Sequence, residues 1–214
     1  MLFRSVAGDL IPRLVAAMHE DRQGRLWVGT TGGLARREQD VWQLLTTRDG
    51  LSNDDVRAII DDGAGGLWIG TRGGGISRWS EGRFTAWRRQ DGAPGDDVSS
   101  LWLDRDGVLW VATLGNGLGR FEKGAWTLYT TREGLASNVI GYLLEDDENC
   151  LWLGSNAGLM RVARRDLNAF ARGPTGWVDV RAYGKPDRSE ERRVGKESRG
   201  PWAPCREKKK EGKM

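Results

Sequence analysis

The chain has 214 residues, with 33 Lys and Arg against 30 Asp and Glu, one histidine and two cysteines. Two cysteines cannot supply a disulfide framework, and there is no apolar run of about 18 residues to cross a bilayer as a helix. The formal charge of +3 is local: residues 188–214 hold ten basic and five acidic residues, leaving 23 and 25 for the rest, so nucleic acid is not a predicted partner.

In chain order, the first predicted element is a short strand over 3–6, read as the outer strand of a preceding unit. Leu10, Val15 and Met18 then stand where Leu51, Val56 and Ile59 stand in the next unit. A Leu-Trp strand follows at 26–30 and returns at 67–71, 109–113 and 151–155. Its tryptophans, Trp27, Trp68, Trp110 and Trp152, are 41, 42 and 42 residues apart. A fixed period of that size marks a repeat architecture. Asp21, Asp62, Asp104 and Asp146 precede the anchors by six residues; Gly24, Gly65, Gly107 and Asn149 precede them by three. Asp opens tight turns, and Gly or Asn tolerates the positive φ such turns require. Each turn follows an apolar segment such as 56–60 or 98–102, so strand, turn and Leu-Trp strand predict a hairpin. Gly-rich links lead to third strands (33–36, 76–79), and fourth strands follow around Trp42, 84–87 and 126–129. The prediction is an all-β fold: a β-propeller of about four blades, each with four antiparallel strands. The units run around 10–47, 51–88, 95–130 and 135–183.

The segment Asp62 to Thr71, Asp-Gly-Ala-Gly-Gly-Leu-Trp-Ile-Gly-Thr, followed by glycines and an aromatic strand, resembles the two-component regulator propeller repeat. Arg48-Asp49-Gly50-Leu51-Ser52-Asn53 and Arg132-Glu133-Gly134-Leu135-Ala136-Ser137-Asn138 resemble that family's inter-blade turn. The resemblance covers residues 1–187. It implies seven-bladed propellers in the extracytoplasmic sensor regions of membrane histidine kinases or diguanylate cyclases, binding a small molecule or oligosaccharide and signalling inward. On that reading the chain is a periplasmic, non-catalytic fragment. Its partners are the ligand, the remaining blades and the signalling domains, with aggregation or dimerisation expected from bare sheet faces. The alternative is a stand-alone propeller that scaffolds protein contacts.

The fourth unit departs from the pattern. Residues 161–172 are richer in helix formers and end at Gly173-Pro174, predicting a short helical insertion near 163–172 and then an outer strand over 177–183. Residues 185–187 approach the inter-blade turn again. From Arg188 the chain resembles the in-frame translation of a sequencing-library adapter, so 188–214 is read as a non-native or disordered basic tail outside the fold. Cys205 belongs to that tail, and Cys150 reads as a small hydrophobe beside a strand.

Chemistry is sparse in the sequence. His19 lies on a strand with no nucleophile motif around it, and the four turn aspartates recur by blade rather than converging on a metal. Thr71 to Gly75 lacks the Lys-Ser/Thr ending of a phosphate loop, and no cofactor is implied. Asp104 to Trp110 resembles the Asp-box of sialidases, and lyases share the propeller. Fold alone does not license their chemistry. Propeller geometry places the inter-blade links and the links after the Leu-Trp strands on one side. That puts Arg48, Asn53, Arg72, Gln90, Asn116, Asn138 and Asn156 on a common rim as candidate ligand-binding residues.

Overall fold

The computed structural model describes residues 14–173 and 176–184. The predicted strand at 3–6, Leu10, the linker at 185–187 and the tail 188–214 lie outside the described residues. Blade 1 is β1 (Val15–Glu20), β2 (Leu26–Thr30), β3 (Gly33–Glu38) and β4 (Val41–Leu45). Blade 2 is β5 (Val56–Asp61), β6 (Leu67–Thr71), β7 (Gly75–Ser80) and β8 (Arg83–Trp87). Blade 3 is β9 (Val98–Leu103), β10 (Leu109–Thr113), β11 (Leu118–Glu122) and β12 (Ala125–Tyr129). Blade 4 is β13 (Ile140–Glu145), β14 (Cys150–Ser155), β15 (Gly158–Ala163) and β16 (Val180–Tyr183), with helix α1 (Arg164–Arg172) between its last two strands. Each blade is one antiparallel meander in sequence order. The first strands of successive blades lie against one another, so they form the inner rim of a propeller arc.

Short hairpins close the outer edges. Gln39-Asp40, Glu81-Gly82 and Lys123-Gly124 all have positive φ at both positions. That is the type I′ geometry whose twist matches paired strands. In blade 4 the helix replaces this hairpin. It begins at Arg164, one residue after the predicted start near 163, because Arg161 still pairs with Arg181 and Val162 with Val180. Val162 and Ala163 are buried, and strand packing overrides their helix propensity. The predicted outer strand over 177–183 shortens to Val180–Tyr183.

The core lies between blades. Trp27, Leu34 and Leu45 of blade 1 pack with Val56, Ile59, Leu67 and Trp79 of blade 2. Trp68 and Ile76 pack with Val98, Leu101, Leu109 and Val111, and Trp110, Leu118 and Tyr129 with Ile140, Leu151 and Leu153. Simple alternation along an inner strand would not turn both Val56 and Ile59 to the preceding blade. A bulge between Val56 and Ala58 shifts the phase by one, and β1 and β13 carry the same irregularity. Close approach also dictates two glycines. A Cβ at Gly29 would stand 2.6 Å from Val56 Cγ1, and one at Gly70 2.5 Å from Val98 Cγ1. Each glycine is therefore a seat for the first residue of the next blade.

Candidate ligand face

Three inter-blade links share one design. The amides of Thr46, Arg88 and Thr130 donate to the carboxylates of Asp49, Asp91 and Glu133 at 2.8, 2.9 and 2.7 Å. One residue on, the amides of Thr47, Arg89 and Thr131 donate to Asp54 Oδ1, Asp96 Oδ1 and Asn138 Oδ1 at 2.7, 3.0 and 2.8 Å. Gly50, Gly92 and Gly134 supply the positive φ that turns each link. The links after the second strands dock on these. Gly73 and Gly75 donate to Asp96 O, and Gly115 and Gly117 to Asn138 O. Arg72 bridges to Asp97 and Leu114 to Val139. Both kinds of link therefore share one side of the arc.

The seven residues picked from sequence divide on that side. Asn138 is consumed by its link. Asn53 Oδ1 accepts from the Asp55 amide at 2.9 Å, and Asn156 Oδ1 accepts from Ser137 Oγ at 2.6 Å. Asn116 is half-buried, pressed on the backbone at Gly95. Arg48, Arg72 and Gln90 are exposed. Sequence reading did not find a shallow apolar groove of about 330 Å³ at the same end of blade 4, lined by Leu114, Val139, Gly141, Tyr142, Gly154 and Leu159. Of the seven, it includes only Asn156.

The opposite side carries the Asp turns, and these are structural units. Asp21 Oδ1 accepts from the amides of Gln23 and Arg25, while Oδ2 accepts from Trp27 Nε1 at 2.7 Å. Asp104 and Asp146 hold their own turns and Trp110 and Trp152 in the same way. Each aspartate also takes an arginine: Arg25, Arg78, Arg164 and Arg161 on Asp21, Asp62, Asp104 and Asp146. Guanidinium groups lie over the anchor rings as well, Arg78 over Trp68 at 5.6 Å and Arg161 over Trp152 at 5.3 Å. Among the described residues no group of acidic, His or Cys side chains is placed to hold a metal. His19 Nε2 is 3.3 Å from Asp61 Oδ1, an inter-blade contact with the same placement as Trp102 Nε1 on Glu145.

Burial raises the carboxyls of Asp21, Asp62 and Asp146, but the hydrogen bonds and arginines around them outweigh it and hold all three below the ordinary aspartate value. A depressed folded pKa stabilises the fold above the unfolded value of about 4 and is lost as pH falls through the folded value. Urea midpoints are expected to hold from neutral pH down to about pH 4 and then drop. A midpoint flat into stronger acid would show that these contacts contribute nothing net.

The family model for the two component regulator propeller matches residues 9–32, 50–73 and 134–157. These segments coincide with the Asp-turn and Leu-Trp hairpins of blades 1, 2 and 4. These three blades carry two-component regulator propeller repeats. Blade 3 repeats the same geometry with Ala112 in the glycine position. Among solved structures, the repeats superpose on the extracellular domain of a hybrid two-component system from B. thetaiotaomicron, with a TM-score of 0.68 and 22% identity over 80% of this chain. The chain spans 23% of that domain's length. Virginiamycin B lyase from Staphylococcus aureus is similar at a TM-score of 0.61 and 15% identity, over 80% of this chain and 56% of the lyase. A gluconolactonase from Xanthomonas campestris is similar at 0.55 and 14%, over 80% and 62%. At these identities the likeness is one of fold. No curated protein sequence matches the chain significantly.

Proposed function

We propose that these blades form part of a non-catalytic, ligand-sensing propeller of a bacterial transmembrane signalling receptor, exposed outside the inner membrane. The carrying observation is the link side. Its backbone is pinned by Asp54, Asp96 and Asn138, while Arg48, Arg72, Gln90 and the edge of Asn116 face outward. Rigid links presenting free polar groups suit a polar ligand such as an oligosaccharide. The extracellular sensor domain among the similar structures supports the location.

The reading is tested by calorimetric titration of neutral and anionic oligosaccharides into the full chain. The expected result is that at least one class binds and that the double variant Arg72→Ala, Asn116→Ala weakens it about tenfold or more, a loss of about 1.4 kcal/mol. Unchanged affinity in the double variant would remove the ligand from this side. Failure of every sugar class to bind would favour the protein scaffold reading.

A further inference from the structure

Where the second strand of a blade runs out into its link, it passes beside the residues that open the next blade. Arg72 directly follows β6 and continues its register, so it lies across from Asp55, and its amide donates to Asp55 O at 2.8 Å. On its other side Arg72 bridges to Asp97. Leu114 follows β10 in the same way, its amide donating to Asp97 O at 2.9 Å, and it bridges to Val139. Asp55, Arg72, Asp97, Leu114 and Val139 therefore form one row across blades 2, 3 and 4 on the link side. Directly paired positions in such a row carry their side chains on one face, with Cβ atoms about 5 Å apart.

The charges in the row differ in what they already hold. Asp55 is taken: Arg57 Nε is 2.7 Å from its Oδ1, and Arg57 Nη2 donates to its Oδ2 at 2.8 Å. Arg72 and Asp97 are exposed, and among the described residues neither side chain has a hydrogen bond or an ion pair. Both lie inside the arc, between blades 2 and 3, so their exposure belongs to the link side and not to an end of the chain. The backbone under them is fixed. Gly73 and Gly75 both donate to Asp96 O at 2.9 Å, and the Arg89 amide donates to Asp96 Oδ1 at 3.0 Å. Thr31, Leu114 and Asn156 hold the place of Arg72 in the other blades, so the link itself does not require a cation there. A donor fork and an acceptor carboxylate stand side by side on a rigid base, next to Leu114, which is 48% exposed.

We propose, resting on the sensor reading above, that Arg72 and Asp97 bind two neighbouring hydroxyls of an uncharged sugar ring whose C–H face lies on Leu114. Every hydroxyl both donates and accepts. Arg72 has only donors and ionised Asp97 only acceptors, so the two together match an adjacent pair of hydroxyls. Arg57, Asp55, Arg72 and Asp97 sum to zero charge, so this part of the rim has no net field to draw a polyanion. A carboxylate or sulfate brought to Arg72 also meets Asp97 as a like charge. Arg72 by itself suits an acidic sugar; Asp97 makes the neutral one the ligand.

Calorimetry on the full chain compares cello-, xylo- and mannohexaose with hexagalacturonate. At least one neutral hexaose is expected to bind about tenfold or more tighter than hexagalacturonate. Its affinity should not change between about 50 and 500 mM salt, because an uncharged ligand leaves nothing to screen. Asp97→Ala should weaken that hexaose about tenfold. Asp97→Asn removes the charge that opposes an anion and should tighten hexagalacturonate about threefold or more at low salt. The side chain is exposed, so both variants should keep the circular dichroism and melting of the parent chain. Hexagalacturonate binding tighter than every neutral hexaose would overturn the proposal, as would a hexaose affinity that survives Asp97→Ala. Either result leaves the sensor reading to stand on the Arg72→Ala, Asn116→Ala variant. Binding of no hexaose of either kind would overturn both.

Discussion

Trp68→Ala is expected to cost about 3–5 kcal/mol, the range for deleting a buried Trp from a core. The ring is 6% exposed and joins two blades. It meets Trp87 at 5.3 Å and Phe121 at 5.7 Å, and Phe121 stacks on to Trp126 at 4.6 Å. Arg78 lies over its face while pairing with Asp62. Truncation therefore removes burial, aromatic contacts and a cation–π contact together, at the interface between blades 2 and 3. The thermal midpoint should fall by roughly 6–20 °C, at about 2–4 °C per kcal/mol for a chain of this size. Stacked repeats contact only their neighbours, so weakening the middle interface should also uncouple the two halves. Fluorescence and circular dichroism transitions should then cease to coincide. An unchanged midpoint would mean that the Leu-Trp anchors do not carry the core.

That core was legible because it repeats. The spacing of Trp27, Trp68, Trp110 and Trp152, with Asp and Gly at fixed offsets, encodes hairpin, register and burial at once. Hydrogen bonds that recur in the same place, such as Asp21, Asp104 and Asp146 on their tryptophans, leave a periodic trace. Features that recur without a fixed residue type were less legible. The bulge beside Val56 is a backbone adjustment forced by the neighbouring blade, and the residue involved is Arg57, Ser99 or Gly141 in different copies. The helix, by contrast, was legible in composition, and its start at Arg164 falls one residue from the predicted 163 because Arg161 is held in the strand by Asp146 and Glu148.

The rim was legible in position more than in chemistry. All seven candidates lie in links on one side, as propeller geometry requires. Yet Asn53, Asn138 and Asn156 resemble free polar groups in sequence and are spent on link hydrogen bonds. Carboxamides in turns serve the backbone first, and only the three-dimensional link separates them from Arg48, Arg72 and Gln90. The groove at Gly154 left no sequence signal of its own.

Asp104→Ala should be nearly as damaging as the loss of a tryptophan, at about 3–5 kcal/mol, because it leaves two turn amides and the buried Trp110 Nε1 without their acceptor and takes one carboxylate from a buried cation. The Asp104 side chain is fully buried, and Arg164 Nη1 lies 3.0 Å from its Oδ2. The same oxygen accepts from Trp110 Nε1 at 2.9 Å, while Oδ1 holds the amides of Asp106 and Val108. Arg164 begins the helix of blade 4 and also reaches Asp106 and Glu145, so this pair clamps the helix to the turn of the preceding blade. Asp104→Asn keeps an acceptor for the turn amides but removes the charge. It should therefore fall between wild type and Asp104→Ala. Arg164→Leu made in the Asp104→Ala background should cost less than it does in the wild type, because its contact with Asp104 is already gone. A double-mutant cycle read from urea unfolding would show that coupling directly. If both single variants cost less than about 1 kcal/mol, the pair behaves as a surface ion pair and the helix is held by Leu167 and Phe170 alone.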